Sequence, residues 1–143
     1  MKQMWGDDKP WKTKAKFWAW IRSGLRRSVW MKHPIKIDHI KANRYKAPLG
    51  VAGKDVWCCT CEICGDTHRQ TNCQVDHIQP AGKLNSIEDV AKFVERLAFI
   101  DDSDIRILCK HCHSIVSYAE RYGLTFEKAR DRKEEIAKRK RSK

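Results

Sequence analysis

Two Cys-x-x-Cys pairs, Cys61-Glu-Ile-Cys64 and Cys109-Lys-His-Cys112, constrain this chain more than any other feature. Thiolates in two such pairs are a zinc site by spacing. Four thiolates on one Zn²⁺ leave no open coordination position, so the ion is expected to be structural and to pin together the ends of the intervening segment. The first pair has a rival, because Cys58-x-x-Cys61 has the same spacing. Cys61 and Cys64 are preferred, since Gly65 directly after them permits the tight turn a zinc knuckle needs. Cys58 and Cys59 are then small buried or spare thiols, and Cys73 an apolar filler at the start of a strand. Seven cysteines, an odd number, argue against a disulfide scaffold and for reduced thiols on a metal.

Charge narrows the partners. Thirty Lys+Arg against 18 Asp+Glu leave a formal +12, an electrostatic footprint for a polyanion. No apolar run is long enough to span a bilayer, and Asp7 and Asp8 come before any apolar stretch, so neither a membrane span nor a signal peptide is expected. The expected location is intracellular and cytoplasmic, and the expected partner is double-stranded DNA rather than a membrane. With 34% charged residues the core is modest, and a structural zinc would add folding free energy.

The periodicity predicts a helix from about Pro10 to Met31, with Trp11, Ala15, Trp18, Ile21, Leu25 and Val29 on one side. Its other side carries Lys12, Lys14, Lys16, Arg22, Arg26 and Arg27. Of these, Lys12, Lys16, Arg22, Arg26 and Arg27 are candidate DNA contacts, with Trp20 or Trp30 nearby. His33-Pro34 ends this helix, and a second short helix is expected over Ile37 to Tyr45. Residues 1–50 thus form a basic, Trp/Arg-rich helical arm, 51–124 a core holding the cysteines, and 125–143 a C-terminal helix and basic tail. Within the core, Cys73 to Ile78 reads as a strand. Ser86-Ile-Glu-Asp89 resembles a capping box opening a scaffold helix to about Phe99. Asp101 to Asp104 is a loop and Ile105 to Leu108 a strand. A helix from Lys110 to about Tyr122 ends at Gly123, and Thr125 caps a last helix before an exposed tail at Lys138–Lys143.

Inside the cysteine frame lie Val75-Asp76-His77-Ile78 and, directly behind the second knuckle, His113. A carboxylate and an imidazole with open positions suit Mg²⁺, Mn²⁺ or a similar divalent ion. Asp76 and His77 are adjacent on a strand and point to opposite faces, so one can bind metal while the other faces substrate. His39, in a second Asp-His-Ile string, has no cysteine frame and reads as a surface or packing residue. His111, between the cysteines, reads as solvent-facing.

The order Cys-x-x-Cys, Val-Asp-His-Ile, Leu-Cys-x-x-Cys-His resembles the HNH endonucleases, the ββα-metal group, and especially their small phage-encoded members. The resemblance covers roughly residues 55–135. It implies an α+β fold with a ββα-metal core, and a metal-dependent DNA endonuclease leaving 5′-phosphate and 3′-hydroxyl ends. It also implies a host-cell location for a phage-encoded member. His77 would be the general base, and Asp76 and His113 the ligands of the catalytic divalent ion. At the family's middle Asn position this chain has Asp104, which can accept hydrogen bonds or bind metal but cannot donate as an amide does. Asn85 lies too far from the second knuckle to substitute naturally. Two other functions compete: a zinc-stabilised DNA-binding protein without catalysis, and a zinc-ribbon adaptor for protein partners.

Overall fold

In a computed structural model of the chain, which describes residues 1–142, the protein is an α+β fold with five α-helices and small antiparallel sheets. Two discontinuous compact units are present: residues 1–42 with 77–106, and residues 43–76 with 107–143. The chain therefore crosses between the units three times, once at the end of a helix and twice inside strands.

The first unit opens with α1, Lys14–Leu25. Pro10 stands outside this helix, because Thr13 is the N-cap and its side chain accepts the Lys16 N–H. A cap that satisfies an orphan donor sets the boundary more firmly than the first-turn preference of proline. After Leu25 the helix widens into one π turn, Arg26–Trp30, with Met31 N–H bonded to the Arg26 carbonyl at 2.9 Å. The wider turn changes which side chain points inward. Trp30 is buried, whereas Val29, the next residue of the 3.6-period stripe, is only half-buried. The helix α2 follows at Pro34–Asn43, with proline at its first position, earlier than expected.

In the same unit, Ile87–Asp89 forms a 3-10 turn that continues into α3, Val90–Ala98. Ser86 makes no capping hydrogen bond; instead the Asp89 carboxylate accepts the Asn85 N–H at 2.9 Å. Phe93 and Leu97 of α3 are fully buried, and α3 packs on the π turn. The true capping box is at Asp101–Asp104, a 3-10 turn in which each acid accepts a backbone N–H of the segment.

The second unit holds a three-stranded antiparallel sheet in the order β1, β2, β3: Tyr45–Ala47, Val56–Thr60 and Thr67–Arg69. Its register pairs Tyr45 with Cys58 and Thr60 with Thr67. The strands β4, Cys73–His77, and β5, Ile105–Cys109, pair as a separate two-stranded sheet and carry the chain between the units. β5 runs directly into α4, Lys110–Tyr122, which ends at Gly123 with φ 61°, a left-handed C-terminal position suited to glycine. Thr125 caps α5, Phe126–Arg141, accepting the Lys128 N–H. The basic end expected as an exposed tail is helical through Arg141, with Lys143 outside the described residues. Lys and Arg are good helix formers, and cations favour the negative end of the helix dipole. Ile115 and Ala119 of α4 pack with Ala129 of α5, flanked by Tyr118, Leu124 and Phe126.

Candidate metal centre and histidine cleft

The second unit brings the knuckle cysteines together. One ligand atom from each of Cys61, Cys64, Cys109 and Cys112 lies within 4.8 Å of the others, whereas Cys58, Cys59 and Cys73 are outside the cluster. Sulfurs each 2.3 Å from one tetrahedral zinc stand about 3.8 Å apart, so the donor set fits that ion. The local backbone explains the convergence. Gly65, at φ 74°, closes a turn in which its N–H bonds to the Cys61 carbonyl at 2.9 Å. At the other pair, Cys109 is the N-cap of α4 and its sulfur accepts the Cys112 N–H at 3.4 Å. The second pair therefore sits on the first turn of α4, which fixes the spacing of its two sulfurs.

Burial works against ionisation of Cys61, but hydrogen bonds from the backbone of Cys109, Cys64 and Ile63 outweigh it and bring that thiol down to about 7. At Cys112 burial dominates and pushes the thiol up. Cys73 is held at about 12, first by burial and then by neighbouring thiols, so it stays a protonated, apolar filler at neutral pH. Cys58 and Cys59 are fully buried in β2. Leu108 and Val116 close around Cys61, Cys109 and Cys112.

One neighbour escaped the sequence reading. His68, on β3, places Nε2 3.5 Å from the sulfur of exposed Cys64, and Cys64, Asp66 and His68 form a second group of potential ligands. The alternation Cys64-x-Asp66-x-His68 was its only trace in the sequence. The pair Asp76 and His113 also lies in this unit. His113 Nε2 is 3.6 Å from Asp76 Oδ1, and both side chains are largely screened from solvent. Two donors each about 2.1 Å from a common divalent ion span roughly 3–4 Å, so this pair fits one ion with room for further ligands. His111 is exposed, as expected.

In the first unit His77 is the one buried polar side chain of the described residues, 9% exposed. Its Nε2 donates to the Leu97 carbonyl at 3.1 Å, and the adjoining Ala98 carbonyl accepts from His33 Nε2 at 2.9 Å. The last carbonyls of a helix have no partner within it, so the end of α3 offers two acceptors and two imidazoles take them. A neutral His77 that donates through Nε2 carries its lone pair on Nδ1. Trp30 lies against the His77 ring, centroids 3.9 Å apart, and Lys36 Nζ stands 4.9 Å from the Trp30 centroid. No periodicity in the sequence announced this contact, because the π turn creates it.

Asp104 holds its turn through the backbone. Its carboxylate accepts the Asp101 N–H at 2.9 Å, and its carbonyl accepts the N–H of Ile78, the residue after His77, at 2.9 Å. These are acceptor roles, which a carboxylate fills as well as an amide does. A cleft of about 310 Å³ opens beside it, its polar lining made by His77, Gln79, Lys92, Glu95, Arg96 and Asp104 and its apolar lining by Phe99 and Ile100. Asn85, whose side chain accepts from Arg22, does not line it. His39 pairs with Asp102 at 2.9 Å, a packing and surface role.

The basic residues near α1 divide. Lys12, Lys16, Arg26 and Arg27 are exposed; Lys12 Nζ also donates to the Asp7 carbonyl and Arg27 Nε to the Ser23 carbonyl. Arg22 is half-buried and its guanidinium donates to the Leu84 carbonyl and Asn85 Oδ1, both at 3.2 Å, which ties α1 to the segment before α3. Trp20, 51% exposed, lies tilted against Trp11, ring centroids 4.8 Å apart. Among the described residues no helix is long and apolar enough to cross a membrane. No family model, curated protein or solved structure matches the chain.

Proposed function

We propose that this protein is a metal-dependent DNA endonuclease of the HNH, ββα-metal type. The observation that carries the reading is the Asp76–His113 pair beside a four-cysteine cluster, with His77, the residue after Asp76, already oriented by the Leu97 carbonyl. The reading is supported by the pairing of β4 with β5, although α3 lies between them in the chain, and by α4 following β5 directly. A zinc held by Cys61, Cys64, Cys109 and Cys112 would stiffen it. Asp76 and His113 would hold Mg²⁺, Mn²⁺ or a similar ion, which would supply positive charge against the negative charge that develops on the reacting phosphodiester. His77 Nδ1 takes a proton from water; the water oxygen bonds to phosphorus, the P–O3′ bond breaks, and the 3′ oxygen takes up a proton from solvent. Lys12, Lys16, Arg26 and Arg27, with the overall +12, would draw double-stranded DNA to the protein.

Plasmid cleavage with added Mg²⁺ or Mn²⁺, wild type against His77→Ala, tests this. Metal-dependent nicking or cutting lost in His77→Ala, with 5′-phosphate ends on the products, supports it. Wild type cutting no better than His77→Ala across metals and DNA substrates overturns it. Salt-sensitive DNA binding without cutting would then point to a zinc-stabilised DNA-binding protein.

A further inference from the structure

α3 reads from sequence as scaffold alone, yet one of its sides forms a wall of the His77 cleft. Lys92 and Arg96 stand one helical turn apart and both line the cleft with His77. The Arg96 guanidinium also reaches the loop that follows His77. A Cβ built on Gly82, which has φ 88°, would lie 3.3 Å from Arg96 Nη1, so the missing side chain there leaves room for the guanidinium. Two acids share the lining. Asp104 keeps its charge with one oxygen on the Asp101 N–H, and Glu95 stands on α3 between Lys92 and Arg96, so an incoming anion meets both acids. A planar guanidinium and an ammonium side by side match the oxygens of a phosphodiester, the first as a fork and the second as a point charge.

We propose that Lys92 and Arg96 hold a backbone phosphate of DNA in the cleft beside His77. The proposal rests on the nuclease reading for its substrate, and it assigns to α3 a share of DNA recognition that is independent of base sequence. Such a contact neutralises a phosphate and releases counterions, so its removal lowers both affinity and the salt dependence of binding. Glu95 works against the contact, which gives the proposal a sign that a merely structural role for these residues would not produce.

The experiment has two readouts on the 143-residue chain prepared with zinc. Binding of a short fluorescent duplex is followed by anisotropy over a salt series with no added Mg²⁺ or Mn²⁺, and cleavage of the same duplex is followed with the ion present. Lys92→Gln and Arg96→Gln are each expected to weaken binding about tenfold and to reduce the salt slope by about one. Glu95→Gln is expected to tighten binding. Arg96→Lys should recover part of the affinity, since it keeps the charge and loses the fork. Lys92 is exposed, so Lys92→Gln reads the contact without a folding penalty, and a thermal melt checks Arg96→Gln. Wild-type binding, salt slope and cleavage in both glutamine variants overturn the proposal while leaving the nuclease reading intact. A wild type that never cuts, but whose binding weakens in both variants and tightens in Glu95→Gln, overturns the nuclease reading and upholds the phosphate contact.

Discussion

Replacing Asp104 by Asn and by Ala asks whether its carboxylate acts as a hinge pin or as a chemical group. Asp104 accepts the Asp101 N–H through its side chain and the Ile78 N–H through its carbonyl, so it links the 3-10 turn to the residue after His77. Asn offers an amide oxygen in the same place. As caps the two residues are nearly equal, so Asp104→Asn should keep the melting temperature and cut within about twofold of wild type. Ala removes the acceptor. The turn is exposed, so water takes over the Asp101 N–H, and the cost is that of a lost cap, about 1 kcal/mol. For a chain of this length that is a drop of about 3 °C in melting temperature. Cutting should fall further, about tenfold, because a loosened turn shifts the backbone that carries His77. Differential scanning calorimetry and initial cleavage rates measure both. The reasoning fails if Asp104→Asn loses cutting about a hundredfold at unchanged melting temperature, since a group needed for its charge would act on metal or substrate directly.

Elemental analysis should find zinc lost from Cys61→Ser, Cys64→Ser, Cys109→Ser and Cys112→Ser, and retained in Cys58→Ser, Cys59→Ser, Cys73→Ser and His68→Ala. Zinc lost from His68→Ala would instead make His68 a ligand in place of exposed Cys64. Trp30→Ala should cost about 3–5 kcal/mol in urea unfolding, as expected for truncating a buried aromatic side chain, while Trp30→Phe costs less and keeps His77-dependent cutting. In iodoacetamide labelling at pH 8 read by mass spectrometry, Cys73 should stay unmodified in the folded protein. Burial holds its thiol at about 12, and denaturation should make it react, because exposure returns it to the ordinary thiol range. Fast labelling of Cys73 in the native state would contradict that burial.

Several helices could be read in the linear chain because their signals are local. Gly123 and Thr125 mark helix ends through the conformation or hydrogen bond each supplies by itself. The choice of Cys61 and Cys64 over Cys58 was equally local, since Gly65 makes that turn possible, and the cluster includes those two. The ends of α1 and the cap before α3 were less legible, because several residues competed for the same backbone donors. Nothing nearby in sequence tells Trp30 that its ring lies on His77; a single π turn rotates it there, and the tertiary packing of α3 against that turn decides the contact. Likewise, His77 found its acceptor on Leu97 because a helix end leaves carbonyls open, and only the fold brings that end to the imidazole. The sequence by itself determined which residues carry metal-binding and basic chemistry. Tertiary structure decided their partners and orientations, because those depend on contacts between segments far apart along the chain.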